Sequence, residues 1–159
     1  MTTLPDRADI VIIGGGIVGC SVAYHLTKLG LNDVVLFERK QLTCGTTWHA
    51  AGLVGQLRAS KNMTRLAQYS TELFANLAAE TGQETGYQAT GSMTLALNAE
   101  RLEELKRQAT MANAFNVACE LIGPDFVQER WPGIDTSDVH GGVYLPGDGQ
   151  TNPVDTTLA

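Results

Sequence analysis

The chain has 159 residues, 43% of them hydrophobic and 18% charged, which is enough for one packed core and is not the composition of a disordered chain. Its net charge of −6 and isoelectric point near 4.9 argue against nucleic acid and anionic membranes as partners, because both ask for a basic surface. Cys20, Cys44 and Cys119 are too widely spaced for a metal motif or a disulfide framework, so a reducing compartment is expected and no metal site is.

Met1–Ala8 hold Asp6 and Arg7 and no apolar run, so no signal or transit peptide is expected there. No stretch reaches the roughly 18 apolar residues of a membrane span. There is no internal repeat or low-complexity segment. Asp9–Ile13 is a short apolar run rich in β-branched residues, the signature of a strand buried on both faces in a parallel sheet. Gly14-Gly15-Gly16-Ile17-Val18-Gly19 follows at once and supplies the pattern G-x-G-x-x-G at positions 14, 16 and 19. Val18, Val22, Leu26 and Leu29 then form one helical stripe, and Gly30 stops the helix. Val34–Phe37 reads as a second buried strand ending in Glu38.

Each part of this unit has a mechanical role. Gly14 permits the tight turn, Gly16 lets backbone approach a pyrophosphate, and Gly19 lets helix pack closely on strand. The helix N-terminus, at Ile17 and Val18, offers free N–H groups and partial positive charge to phosphates. Glu38 lies about 20 positions beyond the glycines, where a carboxylate can accept hydrogen bonds from ribose hydroxyls. The same carboxylate would repel the 2′-phosphate of NADP. A dinucleotide site is the reading, but this unit alone does not separate NAD from FAD.

Further along, Ser60–Glu80 reads as a helix whose residues Met63, Leu66, Ala67, Ser70, Leu73, Phe74, Leu77 and Ala78 trace one face, taken as core. Gly91–Leu97 alternates as a strand. Asn98 is a plausible cap for a helix to about Phe115, with Glu100 in its first turn. A short strand at Val117–Leu121, a helix at Pro124–Arg130, a strand at Val143–Pro146 and the start of a helix within Thr151–Ala159 complete the pattern. His25 reads as structural, His140 as a turn residue before two glycines, and Trp131 as a packing anchor.

The segment Glu38-Arg39-Lys40-Gln41-Leu42-Thr43-Cys44-Gly45-Thr46-Thr47-Trp48-His49-Ala50-Ala51-Gly52-Leu53 resembles the matching segment of the dimethylglycine and sarcosine dehydrogenases, flavoproteins of the D-amino-acid oxidase type. The resemblance continues, more loosely, through Asp138–Tyr144 and Gly147-Asp148-Gly149. It implies FAD rather than NAD, carried covalently by the histidine of the Trp-His-Ala-Ala-Gly setting, here His49, through the flavin 8α-methyl carbon. The residue chemistry is compatible with this. Neutral imidazole is a nucleophile. Gly45, Thr46 and Thr47 offer N–H groups and hydroxyls to a pyrophosphate or ribityl chain. Ala50, Ala51 and Gly52 are small enough for a flat ring to approach. Cys44 is the competing attachment point.

The resemblance further implies an N-methyl amino acid as substrate, hydride transfer to flavin N5, and electron-transferring flavoprotein or oxygen as acceptor. A folate-binding domain using tetrahydrofolate often follows in such dehydrogenases. The expected fold is α/β, an incomplete Rossmann-like FAD-binding domain over residues 1–85 leading into the start of a mixed α+β substrate domain over 86–159. The catalytic residues are not expected within this stretch, which reads as the front part of an enzyme. The location implied is cytoplasmic, or the mitochondrial matrix in a eukaryote. Two alternatives stand beside this reading: another amino-acid or polyol-phosphate flavin oxidase of the same fold with non-covalent FAD, and a regulatory homologue without catalysis.

Overall fold

A computed structural model of the protein describes residues 5–159. Met1–Leu4, part of the segment read as lacking a leader, lie outside the described residues. The chain gathers into two compact units. The first takes the residues up to Gly52 together with Asn76–Gly86 and Thr151–Ala159. The second takes Leu53–Ala75 and Tyr87–Gln150.

In the first unit, β1 (Ile10–Ile13) and β2 (Val34–Phe37) pair in parallel, Ile10 opposite Val34 and Ile13 opposite Phe37. The connection is α1 (Ile17–Lys28), packed on both strands. This is the βαβ unit that the apolar runs and glycines require. Burial on both faces of β1 is not what the structure has. Ile10 and Ile12 are half-buried, while Val11 is exposed and Ile13 is 89% exposed. The reason is that β1 and β2 form a sheet of only two strands, with α1 on one side. The stripe expected on α1 is also displaced outward, with Val18 at 73% and Leu29 at 77% exposure. Gly19 sets this rotation. It lies against the Gly14 carbonyl and the Ile12 side chain, so Gly19 and Ala23 turn inward, and of the expected stripe only Leu26 stays with them.

The second unit is built on a three-stranded antiparallel sheet in the order β4 (Ser92–Ala96), β6 (Gly141–Leu145), β5 (Glu120–Ile122). Both faces are covered. Leu105, Ala109 and Ala112 of α3 (Ala99–Ala114) pack with Ala96, Val143 and Leu145. Val127 of α4 (Pro124–Arg130) packs with Ile122 and Tyr144, flanked by Met93, Leu95 and Phe126. Leu105, Val127 and Val143 are completely buried, each contributing about 1.5–3 kcal/mol of transfer free energy. The Asn98 side chain accepts the Arg101 N–H at 2.8 Å, so the expected cap of α3 is formed. Pro124 opens α4 as read from sequence.

The third strand starts later than expected, because Val117 enters the core directly after α3 through a left-handed Asn116. The long helix α2 spans Lys61–Thr81. Its expected core face is only partly buried: Leu77 is inside, but Met63 and Leu66 are more than half exposed. A polar bond determines which way the first turns face. The buried Thr64 hydroxyl accepts the Arg58 N–H at 3.1 Å and donates to the Arg58 carbonyl at 3.2 Å. The two-residue strands β3 (Leu53–Val54) and β7 (Gly149–Gln150), paired antiparallel, are too short to leave a pattern in the sequence. No helix of the described residues is long and apolar enough to cross a membrane.

Candidate functional site

The glycine-rich turn after β1 begins with the Gly14 N–H donating to the Phe37 carbonyl at 2.8 Å. Gly14 itself has φ of +111°, a conformation open to glycine and strained for any residue with a Cβ. A Cβ on Gly19 would land on the Gly14 carbonyl oxygen, so the helix can sit this close to the strand only at a glycine. Gly19→Ala is therefore expected to lower stability by about 1–3 kcal/mol, the usual range for overpacking. Thermal unfolding of the intact protein measures it, and an unchanged midpoint would show that helix and strand separate freely.

The residues after β2 fold back onto this turn. Glu38 reaches it directly: one carboxylate oxygen accepts the Gly15 N–H at 2.9 Å, and the other accepts the Lys40 N–H at 3.2 Å and the Cys44 thiol at 3.5 Å. The bond from Gly15, and then that from Lys40, holds the Glu38 carboxyl below the ordinary glutamate range. The oxygen that accepts from Gly15 keeps lone-pair capacity for another donor. The Gly15 carbonyl accepts the Thr43 N–H at 2.8 Å, with Thr43 buried and left-handed at φ of +68°. The Gly15 peptide is thus gripped on both sides by the 38–43 segment.

A single 3-10 turn, Thr47–His49, comes next. The Thr47 hydroxyl, buried, accepts the Ile17 N–H at 3.1 Å, at the first turn of α1. His49 is exposed, and its ring stacks edge-on against Trp48 at 5.0 Å. Arg39, Gly45, Thr46, Ala50 and Ala51 are exposed, and Gly52 is half-buried. Gly14, Gly16, Ile17, Gly19, Glu38 and Thr47 are thus brought together in the first unit. Val18 points away, and Leu53 falls in the second unit, paired with Gln150. The α1 N-terminus beside the glycine turn and the Glu38 carboxylate set a partial positive end next to an acceptor, suited to a pyrophosphate flanked by a ribose. That is the fit a dinucleotide requires.

Two of the buried polar residues that the sequence leaves unmarked stand out by their hydrogen bonds. Thr43 is one; a threonine in a loop carries no signal for a left-handed backbone. Asp148, in the second unit, is the other. Its carboxylate accepts the Gln56 N–H at 2.8 Å and the Ser92 hydroxyl at 2.6 Å, and Gln56 Nε2 donates to the Gly147 carbonyl at 2.6 Å. In sequence Gly147-Asp148-Gly149 carries only the looser family resemblance, and the partners reveal a buried carboxylate. His25 is engaged through Nδ1 with the Ser21 carbonyl at 2.6 Å. The His140 side chain is exposed, while its backbone N–H donates to the Ala96 carbonyl. Among the described residues no group of three or more His, Cys, Asp or Glu could hold a metal ion.

Comparison with known proteins gives the family. The model of the FAD dependent oxidoreductase family matches residues 9–159. The chain is 43% identical to rat dimethylglycine dehydrogenase over 154 residues, covering 97% of the chain and 18% of that enzyme. It is 42% identical to the mouse pyruvate dehydrogenase phosphatase regulatory subunit, covering 98% of the chain and 18% of that protein. Among solved structures, L-proline dehydrogenase from P. horikoshii superposes with a TM-score of 0.90 at 31% identity, over 98% of this chain and 41% of that one. The chain therefore spans under a fifth of the length of these curated relatives.

Proposed function

The chain belongs to the FAD-dependent oxidoreductase family, and from that premise we propose that it forms part of a flavoenzyme oxidising an N-methylated amino acid, dimethylglycine, sarcosine or a close analogue. The observation that carries this reading is the glycine turn gripped by Glu38 and Thr43, followed at once by the Thr47–His49 turn. In this reading Gly14, Gly16, Ile17, Val18 and Gly19 shape the turn and the α1 terminus on which the FAD pyrophosphate sits, with the Gly14 and Ile17 N–H groups already given to the Phe37 carbonyl and the Thr47 hydroxyl. Glu38 takes the adenosine ribose hydroxyls, with Arg39 beside it. Gly45, Thr46 and Thr47 line the phosphates and ribityl chain. Trp48, His49, Ala50, Ala51 and Gly52 border the flavin, and His49 carries it covalently.

FAD, once bound, supplies the two-electron acceptor, N5 receiving hydride from the N-methyl carbon. The chain's residues bind and orient it. The iminium product is hydrolysed or gives its one-carbon unit to tetrahydrofolate. Electrons leave to an electron-transferring flavoprotein or to oxygen. The location is cytoplasmic in a bacterium and the mitochondrial matrix in a eukaryote. The units described correspond in this proposal to part of an FAD domain and part of a substrate domain.

Acid-precipitated intact protein is expected to stay yellow and to turn over dimethylglycine or sarcosine with an artificial electron acceptor. A colourless precipitate with turnover retained would favour a non-covalent oxidase of the same fold. Similarity to the regulatory subunit supports one rival, a homologue without catalysis. Bound flavin with no reduction by any amine would favour that rival.

A further inference from the structure

We propose that Thr47 is a positioning residue for the flavin bond at His49, acting through its hydroxyl on the N-terminus of α1. This rests on the reading of His49 as the attachment point. The Thr47 hydroxyl accepts the Ile17 N–H at 3.1 Å and lies close enough to Gly16 that a Cβ there would meet it at 3.1 Å. It thereby occupies one of the N–H groups that a helix leaves without an internal partner. The Thr47 carbonyl accepts the Ala50 N–H at 3.2 Å, closing the turn around Trp48 and His49. The Trp48 N–H reaches back to the Thr43 carbonyl at 3.3 Å, and α5 (Pro153–Leu158), of the same unit, packs against the turn.

The His49 ring has no hydrogen bond of its own among the described residues; its one ring contact is Trp48. Its position therefore follows from where the backbone turn is anchored. The Thr47 hydroxyl is the turn's side-chain anchor on the pyrophosphate-binding helix. It fixes the distance between the phosphate end of the cofactor site and the histidine.

In the bond-forming step an imidazole nitrogen of His49 joins the flavin 8-methyl carbon, which gives up one C–H. The two electrons and two protons released, one proton from the methyl group and one from the imidazole N–H, pass to the ring system. Dioxygen then takes them and becomes hydrogen peroxide. A displacement of about 1 Å is enough to slow such a step roughly a hundredfold.

The test incubates intact apoprotein with FAD in air and follows flavin fluorescence on denaturing gels over time. Thr47→Val is expected to lower the attachment rate at saturating FAD by at least about tenfold. Thr47→Ser, which restores the hydroxyl, is expected to recover most of it. If Thr47→Val does not accumulate folded, Thr47→Ala removes the hydroxyl without added bulk and carries the same expectation. A wild-type attachment rate in the hydroxyl-free variant overturns the inference. So does a loss confined to the FAD concentration for half-saturation, which would make Thr47 a binding group only. Wild-type protein that forms no denaturation-stable flavin would instead sink the His49 reading on which the inference rests.

Discussion

His49→Ala is expected to abolish all flavin that survives denaturation while leaving FAD reversibly bound. In the proposed reading the contacts to phosphate and ribose belong to Gly14–Gly19 and Glu38, which the substitution does not touch. His49 is exposed and holds no part of the fold through its side chain, so the variant should melt like the wild type. Amine turnover should fall without vanishing, since in the proposed reaction hydride goes to the flavin rather than to the histidine. Gel fluorescence decides the matter. A band persisting in the variant would move the bond to another residue, with Cys44 the first candidate. The structure disfavours Cys44, because its thiol is directed at the Glu38 carboxylate 3.5 Å away, on the side of the site read as ribose-binding.

Glu38→Ala, made in the His49→Ala background so that a covalent bond cannot mask the loss, is expected to weaken FAD binding roughly ten- to hundredfold. Two causes act together. The variant loses a charged acceptor for the ribose, and it releases the Gly15 N–H that Glu38 now accepts at 2.9 Å. Glu38→Gln should recover the fold but less of the affinity, because the amide keeps one acceptor oxygen and loses the charge. The pH dependence follows in sign from the lowered carboxyl. A depressed folded-state value means that the stabilising contribution is complete above the ordinary glutamate range. It is lost as pH falls through the lower, folded-state value. Acid unfolding of Glu38→Ala should therefore show less dependence on pH in that window than wild type. Equal FAD affinity in the single and double variants, by fluorescence titration, would remove Glu38 from the site.

Much of this was legible because the determinants are local. The β-branched run, the spaced glycines, the following helix and the acid at the end of β2 each carry their own signal, and the parallel pairing of β1 with β2 follows from them. Asn98 and Pro124 marked the starts of α3 and α4 for the same reason. What could not be read depends on partners distant in sequence. The inward rotation of Gly19 follows from the position of the Gly14 carbonyl, and the apolar stripe on α1 misleads without it. The burial of Asp148 depends on Gln56 and Ser92, and the orientation of α2 on the bond between Thr64 and Arg58. A hydroxyl or carboxylate looks the same in sequence whether water or a backbone N–H will satisfy it.

The first unit takes its residues from three stretches of the chain, and this has a consequence in time. Thr151 and Thr156 donate from their hydroxyls to the carbonyl of the buried Thr85, and α5 packs on both α1 and the turn that bears His49. On the ribosome, β1, α1, β2 and that turn emerge long before Thr151–Ala159 exist. At synthesis rates of about 5–20 residues per second, the nascent fingerprint waits roughly 5–20 s for the helix that braces it. During that interval the unit lacks the segment that packs on α1 and on the turn bearing His49. A holding chaperone, or the early arrival of FAD as a folding template, would act in that window, before the polypeptide has left the ribosome.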